Sequence, residues 1–186
     1  MNIYLKIGKY GAYLFFFILS LVFIRLYLFQ IYYVQGNSML PTLKHGDLVL
    51  VYKYNFPTRF SKKQIYEFKN LDIKKLDILL FETEDGSLVL KRLIGLPGDF
   101  YSFKNGAIFI DNKPLNETYT LSDVTSPPTA NFQTMKSKSF YSIQSEGRIP
   151  PGYYLLLGDN RAVSQDSRTM GLVPEEALRG KVVYIF

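Results

Sequence analysis

The apolar stretch near the N-terminus constrains the fold more than any other feature of this chain. Residues 10–29 are almost wholly apolar, and Arg25, near the far end, is the exception. About twenty helical residues span roughly 30 Å, the thickness of the hydrocarbon core of a bilayer. The segment therefore predicts a single transmembrane helix, with Arg25 placed where a long side chain can reach the headgroups.

A cleavable secretory signal is the competing interpretation, because Lys6 and Lys9 precede the apolar core. Such signals end in small residues of the Ala-x-Ala kind, whereas residues 25–33 offer no such site. An uncleaved anchor is therefore predicted. Lys6 and Lys9 would hold residues 1–9 in the cytoplasm, residues 10–29 would cross the membrane, and residues 30–186 would lie outside it.

The remaining part of the chain, about 150 residues long, is an ordinary size for one domain with its own core. The chain has no cysteine, which excludes disulfides and zinc-thiolate sites. Its net charge of +6 is accompanied by no nucleic-acid-binding motif, and dispersed surface lysine accounts for it. Composition is therefore compatible with one exported domain and gives no reason to expect a nucleic-acid partner.

Beyond the anchor, the pattern predicts a mainly β domain, because short apolar runs alternate with turn signals. Glu84-Asp85-Gly86 predicts a hairpin turn and Asp111-Asn112 another. Residues 66–75 fit a loop or a short helix, and residues 116–147 form a polar insertion. The predicted strands are Leu48–Tyr54, Leu76–Glu82, Leu88–Ile94, Ala107–Ile110, Tyr153–Leu157 and Lys181–Phe186.

Ser38 is the candidate nucleophile, in the run Gly-Asn-Ser-Met-Leu-Pro-Thr-Leu that follows the apolar stretch. A serine hydroxyl is a poor nucleophile until a neighbouring base takes its proton. His45, the sole histidine, lies seven residues after Ser38 on a predicted loop. This position disfavours a Ser-His-Asp triad, although the members of a triad come together in space and sequence distance does not exclude one. Lysine is the better candidate for the base.

Lys91 interrupts an apolar, strand-like run. Complete burial can lower a lysine pKa by ~3–5 units, which would make the amine a general base. The alternative is that Lys91 and Arg92 are outward-facing residues of an edge strand. Lys91 taken alone leaves both interpretations open.

A dense polar segment, residues 158–168, follows the apolar strand that ends at Leu157. Taken with the serine and lysine segments, it closely resembles the type I signal peptidases, membrane-bound serine proteases that use a Ser-Lys dyad. The resemblance covers the N-terminal anchor and the segments 36–43, 46–51, 91–99 and 158–168, in family order. Motifs in a set order are far more specific than any one of them.

The resemblance implies a role for each matching residue. Ser38 would be the acyl-forming nucleophile, Lys91 its general base, and Ser164 the serine that orients the lysine amine. An ion-pair network that alternates acids and bases would support the site. The supporting residues are Asp159, Asn160, Arg161, Asp166 and Arg168.

Two positions depart from part of the family. Some members carry an oxyanion-binding serine where this chain has Gly36, so the backbone N–H of Ser38 would be the first donor and Gly36 would permit close approach of a substrate. Many members carry an acid where this chain has Ala162, which predicts a smaller ion-pair network. Met39 fits a wall of the substrate site and the core equally well.

The expected function is removal of N-terminal signal peptides from exported pre-proteins after small-x-small sites, through an acyl-enzyme and without metal or organic cofactor. The expected location is the bacterial cytoplasmic membrane, in contact with its lipids and with the catalytic domain outside. The alternatives are a dedicated-substrate peptidase of the same superfamily, serving conjugation or pilin processing, and a non-catalytic membrane-anchored scaffold.

Overall fold

The computed structural model describes residues 3–53, 72–104, 106–120, 140–141 and 143–186. It begins with helix α1, Ile3–Tyr27. The large apolar side chains of α1 between Tyr10 and Ile24 are exposed. Within the described part of the chain, no helix combines the length and the apolar character needed to cross a membrane. The transmembrane span therefore stays a prediction.

The remaining described chain contains eleven β-strands, joined by turns and loops, and one short helix, α2, Ser167–Met170. A 3-10 turn at Glu175–Ala177 precedes the last strand. The strands are β1 Phe29–Tyr33, β2 Leu48–Lys53, β3 Ile78–Glu82, β4 Leu88–Gly95, β5 Phe100–Lys104, β6 Ala107–Ile110, β7 Lys113–Pro114, β8 Glu146–Arg148, β9 Tyr153–Leu157, β10 Val173–Pro174 and β11 Leu178–Ile185.

Two antiparallel sheets carry these strands. The larger has the order β1-β2-β11-β3-β4-β9-β10, and the smaller has the order β7-β6-β5-β8. In the larger sheet β3 pairs with β4 along its length, from Ile78 opposite Arg92 to Glu82 opposite Leu88. Strand β9 pairs with the other edge of β4 only from Arg92 to Gly95. The first half of β4 therefore has no strand on that edge within the described residues.

The mainly β prediction is confirmed, and each predicted strand is present with end shifts of a few residues. The turn at residues 84–86 joins β3 to β4, with Gly86 at a φ of 81°. Asp111 and Asn112, at φ values of 50° and 63°, join β6 to β7. Tyr54, residues 66–71 and most of the predicted insertion at 116–147 lie outside the described residues.

The helix does not extend to the end of the apolar segment. The helix ends at Tyr27, and Phe29 already pairs with Tyr52 as the first residue of β1. Tyr32 and Tyr33 belong to the same strand. The apolar run continues from the end of α1 into β1. Because a helix and an edge strand can both be apolar, hydropathy alone does not show where one ends and the other begins.

Three apolar clusters form the core and surround the first half of β4. Leu79, Leu93 and Leu156 belong to one cluster, against which Val89 packs. Met39 and Leu80 belong to another, against which Leu90 packs. The third cluster joins the two sheets through residues such as Ile94 and Ile108. Successive residues of β4 thus contact different clusters, as the alternation of a strand requires.

Candidate active site

The structure brings Ser38 and Lys91 together. Ser38 lies in the loop between β1 and β2, and Lys91 lies in the middle of β4. The Nζ atom of Lys91 is 2.8 Å from the Oγ atom of Ser38, which is hydrogen-bonding distance. A nucleophile and a base in direct contact are the minimum that acyl transfer requires.

Lys91 is buried, with 3% of its surface exposed, so it is not an outward-facing residue of an edge strand. Burial lowers the pKa of its ammonium group; the negative charges of Asp166 and Asp159 oppose this shift and the positive charge of Arg168 adds to it. Asp159 and Asp166 each form an ion pair with an arginine rather than with Lys91. This environment favours a neutral amine that can accept a proton.

Asn160 attaches the nucleophile loop to the segment that follows β9. Its backbone N–H donates to the carbonyl oxygen of Ser38 at 3.0 Å, and its side-chain Nδ2 donates to the carbonyl oxygen of Asn37 at 3.1 Å. Two bonds to consecutive carbonyls fix the direction of the peptide that carries the nucleophile. The predicted supporting role of Asn160 therefore has a direct geometric basis.

Asp159 is fully buried and pairs with Arg92 in a bidentate contact, with Nε 2.8 Å from Oδ1 and Nη2 2.5 Å from Oδ2. Thr42 Oγ1 donates to the same carboxylate at 2.5 Å. Arg92 Nη1 also donates to the carbonyl oxygen of Leu76 at 2.8 Å. The residue next to the candidate base thus connects β4 to the nucleophile loop through Asp159.

Asp166 and Arg168 form a second buried bidentate pair, with both Arg168 Nε and Nη2 at 2.9 Å from the carboxylate oxygens. Asp166 also accepts from the backbone N–H of Gly158 at 2.9 Å and caps α2. Arg168 Nη2 donates to the carbonyl oxygen of Arg161 at 2.8 Å. This pair holds the turn of residues 158–168 closed beneath Lys91.

The sequence left open which residues of the alternating network pair with each other. Arg161 forms an ion pair with Glu117, outside the polar segment, and its Nε donates to the carbonyl oxygen of Gly158 at 2.9 Å. Asp159 pairs with Arg92 rather than with Arg161. Acids and bases that alternate along a loop point in different directions, so sequence alternation does not determine which of them meet.

Ser164 is buried beside the site, but its Oγ atom has no hydrogen-bond partner within the described residues. It therefore does not donate to or accept from Lys91 here. Gly158 explains the close packing at this point: a Cβ atom on Gly158 would lie 2.1 Å from Ser164 Oγ and 2.6 Å from the carbonyl oxygen of Ser38. The lysine-orienting role of Ser164 stays a prediction.

Gly36 is exposed at the rim of the site and has a φ of 84°, a value that favours glycine. Its backbone N–H donates to Nδ1 of His45 at 3.2 Å, and the Tyr33 ring packs edge-on against the His45 ring. His45 thus contacts the loop before the nucleophile and not Ser38 itself. The Gly36 N–H thus already has a partner, and the oxyanion role of the Ser38 backbone N–H stays a prediction.

A groove of about 210 Å³ leads from Ser38 and Lys91 along the first half of β4. Tyr32, Val34 and Gly36 line one side of this groove, and Leu88 and Leu90 line the other. Met39 is 2% exposed and belongs to the core, and it also lines the groove. It therefore fits both a core residue and a wall of the groove.

Sequence reasoning missed Arg92, Thr42, Asn37, Glu117 and Tyr119. The Arg92 guanidinium lies 4.2 Å from the centre of the Tyr119 ring, and burial raises the pKa of the Tyr119 hydroxyl. The sequence did offer a signal for Arg92. Neighbouring side chains of a strand point to opposite faces, so if Lys91 is buried on one face of an apolar strand, Arg92 must lie on the other face and needs a partner there. Thr42 and Glu117 had no such signal, since their partners are distant in sequence.

Known proteins match this chain over almost its whole length. A family model described as signal peptidase, peptidase S26, matches residues 7–186. Signal peptidase I of Bacillus caldolyticus is 32% identical over 162 residues, which cover 86% of this chain and 80% of the relative. Signal peptidase IB of Staphylococcus aureus strain Mu50 is 33% identical over 159 residues, covering 83% of this chain and 76% of the relative.

A solved structure is also similar. The crystal structure of a signal peptidase I from Enterococcus faecalis V583 is 28% identical and matches 59% of this chain and 95% of its own, with a TM-score of 0.44. The match to the family model spans the serine, lysine and polar segments. The chain therefore belongs to the signal peptidase family, peptidase S26, and is a serine endopeptidase.

Proposed function

We propose that this protein removes N-terminal signal peptides from exported pre-proteins, cutting after small-x-small sites with Ser38 as nucleophile and Lys91 as general base. The observation that carries the proposal is the 2.8 Å contact between Lys91 Nζ and Ser38 Oγ, made by a lysine that is 3% exposed. The family membership supports the same reaction.

The chemistry is acyl transfer. Neutral Lys91 takes the proton of Ser38, whose oxygen attacks the scissile carbonyl carbon, and the backbone N–H of Ser38 donates to the oxygen that becomes negative. Lys91 then gives the proton to the leaving amine, the C–N bond breaks and an ester with Ser38 remains. A water molecule, deprotonated by the same lysine, hydrolyses this ester and restores Ser38.

The substrate binds as an extended strand along the groove. The first half of β4 has no strand on its outer edge within the described residues, and main-chain hydrogen bonds to such an edge give affinity without reading side chains. Alternate side chains of the substrate then meet the groove lined by Leu88, Leu90 and Met39. The two small residues of the site, one beside the cut and one two positions before it, would face this groove, because successive side chains of a strand point to opposite faces.

The apolar part of helix α1, from Tyr10 onward, anchors the protein in the bacterial cytoplasmic membrane, in contact with lipids, with the catalytic domain on the extracytoplasmic side. The exposed apolar side chains from Tyr10 to Ile24 support this, because contiguous apolar surface of this size on a helix needs an apolar environment. Strand β1 follows the helix directly, so the active site would stay close to the membrane surface.

The test is cleavage of a membrane-inserted pre-protein with an Ala-x-Ala site by the full-length protein in detergent, beside Ser38→Ala and Lys91→Ala. We expect cleavage at that site by the parent and a loss on the order of 10³-fold or more in each variant. Unaltered circular dichroism and melting of Ser38→Ala would show that the loss is chemical.

The serine and lysine assignment is wrong if either variant retains parental turnover. If the parent cleaves a single pre-protein and rejects a general panel, the protein is a dedicated-substrate peptidase. No turnover of any substrate would indicate a non-catalytic scaffold.

A further inference from the structure

Residues 115–120, which follow strand β7, lie beside the polar turn that supports the candidate active site. The backbone N–H of Leu115 donates to the carbonyl oxygen of Ile108 in β6 at 2.8 Å. Leu115 and Tyr119 both pack against the apolar cluster that contains Leu157, the last residue of β9 before the turn. The segment is therefore fixed to the β domain by contacts of its own.

Two side chains of this segment contact arginines of the site. Glu117 forms an ion pair with Arg161, whose side chain is only 1% exposed. The Tyr119 ring faces the guanidinium of Arg92, with 4.2 Å between the Arg92 Cζ atom and the ring centre. The Tyr119 hydroxyl also donates to Glu117 Oε1 at 3.3 Å. Glu117 and Tyr119 thus connect two arginines that belong to different parts of the site.

Asn160 lies between the groups that these arginines hold. The residue before it, Asp159, forms a buried ion pair with Arg92. The residue after it is Arg161, and among the described residues Glu117 is the only acid that pairs with this arginine. Asn160 itself donates to two consecutive carbonyl oxygens of the nucleophile loop. Any shift of either arginine therefore reaches the loop through Asn160.

We propose that Glu117 and Tyr119 are positioning residues for the acyl transfer, because they hold Asn160 from both sides and thereby fix the nucleophile loop. This inference rests on the proposed function. A buried guanidinium that loses its carboxylate is left with an uncompensated charge and has to move. Since a misplacement of about 1 Å can cost on the order of 10²-fold in rate, even a small shift of Ser38 would be measurable.

The groove proposed for the substrate does not include either side chain. Its described lining comes from β1, the nucleophile loop, β3 and β4. Loss of Glu117 or Tyr119 should therefore change the position of the nucleophile and not the contacts that bind substrate. The expected signature is a lower kcat with KM within about twofold of the parent.

The test at Glu117 measures both constants for the full-length protein in detergent, with an Ala-x-Ala peptide. Glu117→Leu removes the carboxylate and should lower kcat by about tenfold. Glu117→Gln keeps an oxygen that can accept from Arg161, so it should recover most of this loss. The control is Glu146→Gln, which breaks an exposed ion pair with Lys104 and should leave both constants unchanged.

The test at Tyr119 separates the ring from the hydroxyl. Tyr119→Leu removes the aromatic face from Arg92 and should lower kcat by about fivefold. Tyr119→Phe keeps that face and loses only the long hydrogen bond to Glu117, so its kcat should be nearly that of the parent.

A double variant tests the route through Asn160. Asn160→Ala removes the side-chain hydrogen bond to Asn37, so in this background Glu117→Leu should lower kcat by less than about threefold. The loss of thermal stability caused by Glu117→Leu comes from the unpaired Arg161 and should appear in both backgrounds. A role in stability alone would give the same loss of kcat in both backgrounds.

The inference is refuted if Glu117→Leu, folded by circular dichroism at the assay temperature, has the parental kcat or changes KM alone. It is also refuted if the loss of kcat is the same with and without Asn160→Ala. If Glu117→Leu does not fold, Tyr119→Leu decides, and a parental kcat in that variant overturns the proposal. A parent no more active than Ser38→Ala would instead overturn the proposed function itself.

Discussion

At the residue scale, the burial that suits Lys91 to the proposed chemistry also lowers the free energy of unfolding of the protein. Its burial lowers its pKa, so the folded protein holds the amine in the form that the proposed chemistry needs. The unfolded chain, by contrast, holds lysine with a pKa of about 10.4. Between the lowered folded value and the unfolded value, the unfolded chain binds more protons, so the free energy of unfolding rises with pH in that window.

Lys91→Met should therefore be inactive and more stable than the parent at neutral pH. Methionine fills a similar volume without a charge to desolvate, and Asp159 and Asp166 keep their arginine partners. The measurement is thermal unfolding at several pH values in the same detergent. Lys44→Met, at an exposed position, is the control and should leave the melting temperature nearly unchanged. A less stable Lys91→Met variant would contradict the argument.

The pH profile of the parent should report the same lysine. Because neutral Lys91 accepts the proton of Ser38, kcat/KM should fall as acid protonates the amine, by about tenfold per pH unit below the lowered pKa. A profile that stays flat from neutral to acid pH would rule out a neutral lysine base. His45→Ala should keep most of the activity and the same acid limb, because His45 contacts Gly36 rather than Ser38.

Gly158→Ala should damage the site from a position that has no side chain. The added Cβ would collide with Ser164 and with the carbonyl oxygen of Ser38, both well inside contact distance. Such overpacking costs about 1–3 kcal/mol and should lower kcat through the displaced nucleophile. Gly11→Ala, which has open space around it, is the control for unfolding and activity. Parental kcat in Gly158→Ala would show that the loop can move aside.

At the element scale, β4 serves the site along its whole length. Its first half provides the unpaired edge, its middle carries Lys91, and Arg92 joins it through Asp159 to the nucleophile loop. The catalytic contact thus depends on how the loop before β2 and the turn after β9 are attached to this one strand. Buried ion pairs provide that attachment.

Asp159→Asn should lower the free energy of unfolding by about 3–5 kcal/mol, because it leaves the buried Arg92 without a compensating charge. Activity should fall with it, since Thr42 and the nucleophile loop lose the same carboxylate. Chemical denaturation measures the change. Glu82→Gln removes the half-exposed pair with Arg179 and should cost less than about 1 kcal/mol. Equal costs for the two variants would refute the role of burial.

At the scale of the whole molecule, the β domain carries its own core, and the described contacts of α1 with it are few. Lys53 Nζ donates to the carbonyl oxygen of Arg25. Among the residues whose side chains the structure describes, none of α1 belongs to the apolar clusters around β4. Helix and domain are therefore separable in energetic terms.

Removal of residues 1–27 should leave cleavage of a short Ala-x-Ala peptide within about threefold of the parent and abolish flotation of the protein with lipid vesicles. The physical reason is that the active site is built entirely from the β domain, while the exposed apolar surface lies on the helix. Flotation and peptide turnover are measured on the same preparations. Vesicle binding that persists after truncation would place the membrane contact elsewhere in the chain.

The amino-acid sequence by itself determined the mainly β class, the strand positions and the catalytic candidates, because hydrophobic period and motif order are local properties of a chain. Ser38 and Lys91 were found by their chemical type and by family resemblance. The tertiary structure decided which charges meet. Asp159 pairs with Arg92 and Arg161 with Glu117, partners far apart in sequence. It also decided that Gly36 donates to His45 and that Phe29 begins a strand. Pairing depends on directions in space, which neither composition nor periodicity specifies.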